Sequence, residues 1–364
     1  MIVYNKPYFN NNAINNILFS KNKGCLSGDG YFSKKCYNYF KKKWDFYSLL
    51  TPSCTHAIEM MSILLELKED DEILIPSYTF VSTANAFSLH GIKVKCVDSC
   101  KDNPNISPEA LELSISDKTK AVCIIHYGGN ACEMDKIEEI CKKYKIILLE
   151  DNAQGIDSYY KGKPLGSFGV MSTISFHETK NIQCGEGGLL IINDKKYIER
   201  AEIIREKGTN RTQFFKGEIE KYEWIDKGSS YLLSDINAGI LFSQLEEIEL
   251  ILNKRKHQWN LYYKLLNPFF NVMKPNNQGN SHIFYLIVDN VQHLKNYLKN
   301  KNIMATSHYI PLHQSEYYKK NFEKVECPNS EYFSEHLIRL PLYYELTDAE
   351  IIGICNIMKE YIIS

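Results

Sequence analysis

Six short apolar runs, at residues 72–75, 94–97, 121–125, 146–149, 173–176 and 189–192, punctuate the first two-thirds of the chain and are separated by stretches of helical periodicity. Each run is too short to be a self-burying helix. None shows the strict alternation of a half-exposed strand, so they suit strands covered on both faces, as in a mostly parallel sheet between helical layers. The intervening stretches support this. Residues 55–67 are apolar at Ile58, Met61, Leu64 and Leu65, and residues 134–144 at Ile137, Ile140 and Cys141, both with polar starts suited to capping. The pattern predicts an α/β layer architecture.

With 364 residues, the chain is long enough for one large and one small domain. A long amphipathic stretch from Ser234 to about Lys256 precedes residues 271–281, whose Asn, Pro and Gly read as a loop or linker. Beyond it, residues 282–288, 291–300 and 304–309 read as strand, helix, strand. The expected division is a large domain over 1–250 and a smaller C-terminal α/β domain over 251–364.

Charge excludes some functions. Lys and Arg number 43 against 44 Asp and Glu, so no net field favours nucleic acid or an anionic membrane. The 11 cysteines are scattered, odd in number and lack Cys-x-x-Cys spacing, as expected of reduced thiols. The N-terminus, Met1-Ile2-Val3-Tyr4-Asn5-Lys6-Pro7, has no signal pattern, and no apolar stretch reaches membrane-spanning length, so a cytoplasmic location is expected.

Three segments carry chemistry. The run 146–149 delivers Glu150 and Asp151 at its C-terminal end, where open α/β sheets hold their ligands, although an acid there is often only a cap. Lys180, in Ser175-Phe176-His177-Glu178-Thr179-Lys180-Asn181, follows another strand end and precedes Gly185-Glu186-Gly187-Gly188; this placement separates it from the solvated lysines elsewhere. Thr51-Pro52-Ser53-Cys54-Thr55 opens a helix, whose N–H groups and dipole suit an anion. Together they match what pyridoxal phosphate requires: an acid for the pyridine nitrogen, a lysine for its aldehyde and a cradle for its phosphate. A metal site is not expected. His126, His177, His308 and His313 form no His-x-x-x-His pair and join no Cys cluster. A dinucleotide site is not expected either, because no Gly-x-Gly-x-x-Gly turn is present.

On these residues the chain resembles the DegT/StrS-type sugar aminotransferases, a branch of the fold-type I, aspartate aminotransferase-like enzymes. The resemblance spans nearly the whole length, through residues 51–55, 76–83, 150–154 and 175–181 in order. It is nearest to transaminases that act on dTDP-4-dehydro-6-deoxyglucose to make dTDP-4-amino-4,6-dideoxygalactose for enterobacterial surface polysaccharide, through residues 26–30, 80–87, 177–181 and 202–215.

The resemblance implies a seven-stranded, mostly parallel sheet, a pyridoxal phosphate cofactor with pyridoxamine phosphate as the carrier, L-glutamate as amino donor, and a homodimer. It implies that Lys180 bonds the cofactor and moves the proton, that Asp151 pairs with the pyridine nitrogen, and that Gln154 bonds the phenolic oxygen while Phe80 stacks on the ring. Ser53, Cys54 (through its backbone), Thr55 and Ser175 would hold the phosphate. Ser230 stands where the commoner pattern has an Asn reaching the partner's phosphate, and it could still donate a hydrogen bond. His177, His308 and His313 fall near the sugar. The same machinery would serve the gluco epimer, or a 3-keto sugar. A sugar dehydratase of this fold carries histidine in place of Lys180, and a non-catalytic regulator would lack Lys180 or Asp151.

Overall fold

The computed structural model describes residues 1–363. Its central sheet comprises β1 (Ser48–Thr51), β2 (Glu72–Pro76), β3 (Lys93–Val97), β4 (Thr119–Ile125), β5 (Ile147–Asp151), β6 (Met171–Ser175) and β7 (Gly188–Ile192). They lie in the order β1-β7-β6-β5-β4-β2-β3. Only β7 runs against its neighbours, so the sheet is mostly parallel, as expected. Each of the six apolar runs forms one of β2 to β7. β1 was not anticipated, because Ser48-Leu49-Leu50-Thr51 is short and polar at both ends. It is nonetheless buried throughout, paired along its length to β7.

β7 shows how the layers are assembled. Leu190 and Ile192 enter one core with Ala57, Ile58 and Met61 of the helix Cys54–Leu64. Leu189 and Ile191 point the opposite way, into a core with Phe40 of the helix Tyr31–Trp44 and Leu241 of the helix Asp235–Glu246. Successive side chains leave a strand on opposite faces, so a wholly apolar strand must be covered twice. The helix Met134–Tyr144 has the predicted bounds.

A further core fills the C-terminal part, where the helices Ile248–Leu266, Val291–Asn300 and Asp348–Ile363 pack on an antiparallel sheet of β8 (Asn271–Val272), β9 (Tyr285–Ile287) and β10 (Leu337–Arg339). The stretch from Ser234 is two helices rather than one, meeting at Glu247, where φ −107° and ψ 12° break the helical path. The expected loop at 271–281 begins with β8, because Val272 is buried and pairs with Leu286. Residues 304–309 are not a strand. Thr306 makes a single bridge to Arg339, after which the chain leaves the sheet and brings His308 and Tyr309 to a cavity. All 11 cysteines are free. Among the described residues, no helix is long and apolar enough to cross a membrane.

The end of β5 is fixed by a buried anion. Glu150 is wholly buried and accepts hydrogen bonds from His126 Nε2 at 3.0 Å and from the backbone N–H groups of Gly166 (2.9 Å), Phe168 (2.7 Å) and Gly169 (2.8 Å). Burial acts to raise its pKa, but the His126 ring and these N–H groups outweigh it and hold the carboxyl below the ordinary glutamate range. One side chain thereby ties the exit of β4, the end of β5 and the loop entering β6.

A depressed carboxyl pKa stabilises the fold above the unfolded-state value of about 4.3, and that stabilisation is lost as pH falls through the folded-state value. Glu150→Gln is therefore expected to cost roughly 2–4 kcal/mol at pH 7 in urea unfolding, with the gap to the wild type narrowing below about pH 4.

Candidate active site

The carboxyl ends of β4, β5 and β6 open on a cavity of about 370 Å³, walled on the far side by residues of the C-terminal part. Such strand ends collect functional groups because side chains from several elements converge there without breaking the sheet.

Asp151, the last residue of β5, is buried in the cavity wall. Thr83 Oγ1 donates to Oδ2 at 2.6 Å and the Ala153 N–H to Oδ1 at 3.1 Å. Burial raises the carboxyl above the ordinary aspartate range, opposed by those two hydrogen bonds and by the Lys180 charge. A cation arriving beside it would reverse that shift, which makes Asp151 a suitable partner for a protonated ring nitrogen.

Lys180 sits in the loop joining β6 to β7. The loop is closed by backbone bonds from Phe176 N to Gly187 O, Glu178 N to Gly185 O and Lys180 N to His177 O. Its neighbour Asn181 donates to Asn280 O at 3.0 Å and bonds the His282 ring at 2.9 Å, pinning the loop to the C-terminal part. Among the described residues the half-buried Lys180 amine has no hydrogen-bond or ion-pair partner. Burial lowers its pKa, with Cys54 and Asp151 opposing, and this raises the fraction of free amine able to attack a carbonyl.

The third wall is the N-terminus of the helix Cys54–Leu64. Ser53 caps it by accepting the His56 N–H at 3.2 Å, and Thr55 Oγ1 donates to Ser82 at 2.9 Å. At Gly188 the backbone of β7 lies so close that a Cβ would overlap the backbone of Ser53 and Cys54, so only glycine fits. The result is a narrow cradle of N–H and hydroxyl groups, with Ser175 at the end of β6 beside it, whose donor chemistry fits a phosphate. Burial pushes the Cys54 thiol far up, so its side chain stays protonated.

Aromatic rings close the remaining side. Phe80 is 57% exposed, 6.2 Å from the Tyr309 ring. His308 stacks on Tyr309 at 4.3 Å and bonds Tyr127 OH at 2.7 Å. Burial, with the Lys180 charge adding, pushes His308 down to about 3, leaving a neutral imidazole at neutral pH. Gln154 accepts the Gly128 N–H at 2.7 Å and donates to Tyr309 OH at 3.2 Å.

The structure thus brings together Lys180, Asp151, Gln154, Phe80, His177 and His308. Ser53, Cys54, Thr55 and Ser175 join them around the same cavity. His313 is not among its lining: its ring is engaged by Ser77 Oγ at 2.7 Å and Glu331 at 2.9 Å, so both nitrogens are used in packing, and the expectation of a sugar contact is corrected. Ser230 bridges to Glu206 and lines a second cavity, of about 1160 Å³, with Arg205, Lys207 and Arg211. Sequence reasoning did not single out Thr83, Tyr309, His282 or Arg339, and it met Gly188 only within the glycine cluster after Lys180. The signal for Arg339 was a lone charge in the apolar run Leu337-Ile338-Arg339-Leu340; Thr83, inside a helix, gave none.

The DegT/DnrJ/EryC1/StrS aminotransferase family matches residues 27–359 of the chain. An uncharacterised protein of Methanocaldococcus jannaschii, MJ1066, is 32% identical over 341 residues, covering 89% of this chain and 87% of that one. In structure, the chain is similar to Helicobacter pylori PseC, an aminotransferase involved in the biosynthesis of pseudoaminic acid, at a TM-score of 0.91 and 24% identity over 99% of this chain and 98% of PseC. It is similar as well to the putative sugar aminotransferase Spr1654 of Streptococcus pneumoniae in its PMP form, at a TM-score of 0.93 and 22% identity over the same shares of the two chains. With the match running over most of its length, and with a lysine, an acid and an anion cradle around one cavity, the chain belongs to the DegT/DnrJ/EryC1/StrS aminotransferase family.

Proposed function

We propose that the protein is a pyridoxal phosphate-dependent aminotransferase that moves the amino group of L-glutamate to the keto carbon of dTDP-4-dehydro-6-deoxy-D-glucose. The products are 2-oxoglutarate and dTDP-4-amino-4,6-dideoxy-D-galactose, a building block for surface polysaccharide. One observation carries the reading: the amine of Lys180, unpartnered among the described residues, and the buried carboxyl of Asp151 share a cavity with a glycine-fitted helix N-terminus. Family membership and the sugar aminotransferases of the same fold support it. The sugar substrate and its product rest on the sequence resemblance.

Bound pyridoxal phosphate supplies an electron-withdrawing ring that makes the proton on the amino-acid Cα removable. The chain does the rest. Asp151, held by Thr83 and Ala153, keeps the ring nitrogen protonated. The N–H groups of Cys54 and Thr55, with Ser53 and Ser175, hold the phosphate, and Phe80 and Gln154 fix the ring's orientation. Lys180 Nζ would hold the cofactor through its aldehyde, and its amine, when free, would carry the proton taken from the donor's Cα. For the keto sugar it runs the transfer in reverse, with His177 and the neutral His308 as hydrogen-bonding groups for the sugar. One amine on one face delivers the proton, so the configuration at C4 follows from the face of the sugar presented to it. The enzyme acts as a cytoplasmic homodimer in which the Ser230 hydroxyl of one protomer reaches the phosphate held by the other.

Glutamate alone is expected to bleach the visible absorbance of the loaded enzyme, and Lys180→Ala to abolish turnover; no spectral response, or full activity in K180A, refutes the reading. Thr83→Val removes one hydrogen bond to a buried carboxylate, worth about 1.5–3 kcal/mol, so turnover should fall on the order of 10- to 100-fold with the fold intact by circular dichroism. With dTDP-4-dehydro-6-deoxyglucose and glutamate, the product should show a small H3–H4 coupling by NMR. A large axial–axial coupling identifies the gluco epimer and overturns the galacto assignment.

A further inference from the structure

Among the described residues, three histidines line the cavity that holds Lys180: His177, His282 and His308. What each offers a ligand depends on which ring nitrogen carries the proton. His177 Nδ1 accepts the Thr179 N–H at 3.3 Å, so Nε2 carries its proton and turns to Glu186 at 3.7 Å. His308 Nδ1 meets Tyr127 OH, a group able to donate or accept, so that contact permits either tautomer. His282 is the fixed case. Its Nδ1 lies 2.9 Å from Asn181 Oδ1, and the Asn181 amide has one orientation, because its Nδ2 faces the Asn280 carbonyl at 3.0 Å, an atom that can only accept. Oδ1 therefore accepts, Nδ1 of His282 carries the proton, and Nε2 presents a lone pair.

The segment around this ring is anchored on several sides. The His282 carbonyl accepts from Arg255 of the helix Ile248–Leu266 at 2.6 Å. Asn280 Nδ2 donates to the carbonyls of Gln154 and Ile156 at 2.8 Å each, docking the segment on the turn after β5. Between them Ser281 takes φ 54°, a left-handed conformation that persists in a residue other than glycine only where the surroundings hold it. Burial, with the charges of Lys180 and Arg255 adding, keeps the His282 ring well below the ordinary histidine range, so it is neutral. Among the described residues its Nε2 has no hydrogen-bond partner, and it remains accessible in the cavity wall. The loop that carries Lys180 thus chooses the tautomer of a proton acceptor in the same cavity.

The chemistry of the two substrates decides what such an acceptor serves. Carboxylates of the amino donor bring no proton to share, and its amine is the group transferred. The reacting end of the keto sugar does bring one. Its C4 has two ring neighbours: C5, which carries the methyl, and C3, which carries a hydroxyl. We infer that His282 Nε2 accepts a hydrogen bond from the hydroxyl on the carbon next to the reacting carbonyl, an assignment that rests on the keto-sugar reading above. It makes His282 a specificity-determining residue that favours α-hydroxy ketones over their deoxy counterparts. Without the hydroxyl, the lone pair is covered by the sugar and left with no donor.

The test compares wild-type holoenzyme with two variants that separate the ring nitrogens. His282→Asn places an amide N–H where Nδ1 stood and leaves nothing at Nε2, whereas His282→Gln reaches the Nε2 position with an amide oxygen. Calorimetry measures dTDP-6-deoxyglucose, which binds without reacting because its C4 carries a hydroxyl, and its 3-deoxy counterpart, dTDP-3,6-dideoxyglucose. For the wild type, loss of the 3-hydroxyl is expected to weaken binding about tenfold, as for one hydrogen bond. H282N should weaken the parent compound by a similar factor and be indifferent to the 3-hydroxyl, and H282Q should recover part of the affinity. In single turnovers glutamate should bleach H282N as it does the wild type, while the return of colour with dTDP-4-dehydro-6-deoxyglucose should need about tenfold more sugar. An equal loss on 3-deoxygenation in wild type and H282N overturns the assignment. So does a diminished cofactor band or slowed bleaching in both variants, which would make His282 a support for the Lys180 loop alone. A wild type that glutamate bleaches and the keto sugar fails to recolour refutes the substrate reading itself; a wild type and H282N that recolour alike refute only the role of His282.

Discussion

The buried Glu150 carboxylate is the interaction on which the site's geometry depends. Four donors from two segments converge on it, from the turn after β4 and from the loop that re-enters the sheet as β6. Removing one partner from such a network leaves the others buried and unsatisfied, so its members stand or fall together. Alternation along the strand then turns Asp151 toward the cavity while its neighbour points into the protein. Two adjacent acids thus divide the labour, one holding strands and the other facing a ligand. Their pKa shifts run in opposite directions because one accepts from four close donors, while the other accepts from Thr83 and Ala153 with only the Cys54 thiol besides, 4.0 Å away.

The sheet was legible because burial on both faces demands apolar runs, and six of its strands are written that way. β1 escaped notice because polar residues bracket its two leucines; its burial comes from partners far along the chain rather than from local pattern. Likewise Val272 takes part in a sheet from within an Asn- and Pro-rich stretch. The same physics explains residues 304–309, which read as a strand but whose pairing stops after one bridge.

At the site, residues with a distinctive local setting were recognisable: an acid after an apolar run, a lysine before a glycine turn, hydroxyls at a helix start. Residues whose importance lies in a distant partner were not. Thr83 matters because of Asp151, 68 positions away, and nothing around it announces that contact. His313 misled for the converse reason. A histidine beside His308 in sequence looks as if it shares a site, yet Ser77 and Glu331 use up both its nitrogens.

The cavity wall includes both Tyr4 and Arg339, residues from opposite ends of the chain. The chamber is therefore complete only when both ends of the chain have been brought to the carboxyl ends of the strands. A nascent or partly unfolded chain carries Lys180 and Asp151 without the enclosure that makes them reactive together. Whatever binds there selects the finished protein from its incomplete forms and stabilises it by mass action, so ligand occupancy doubles as a check on folding.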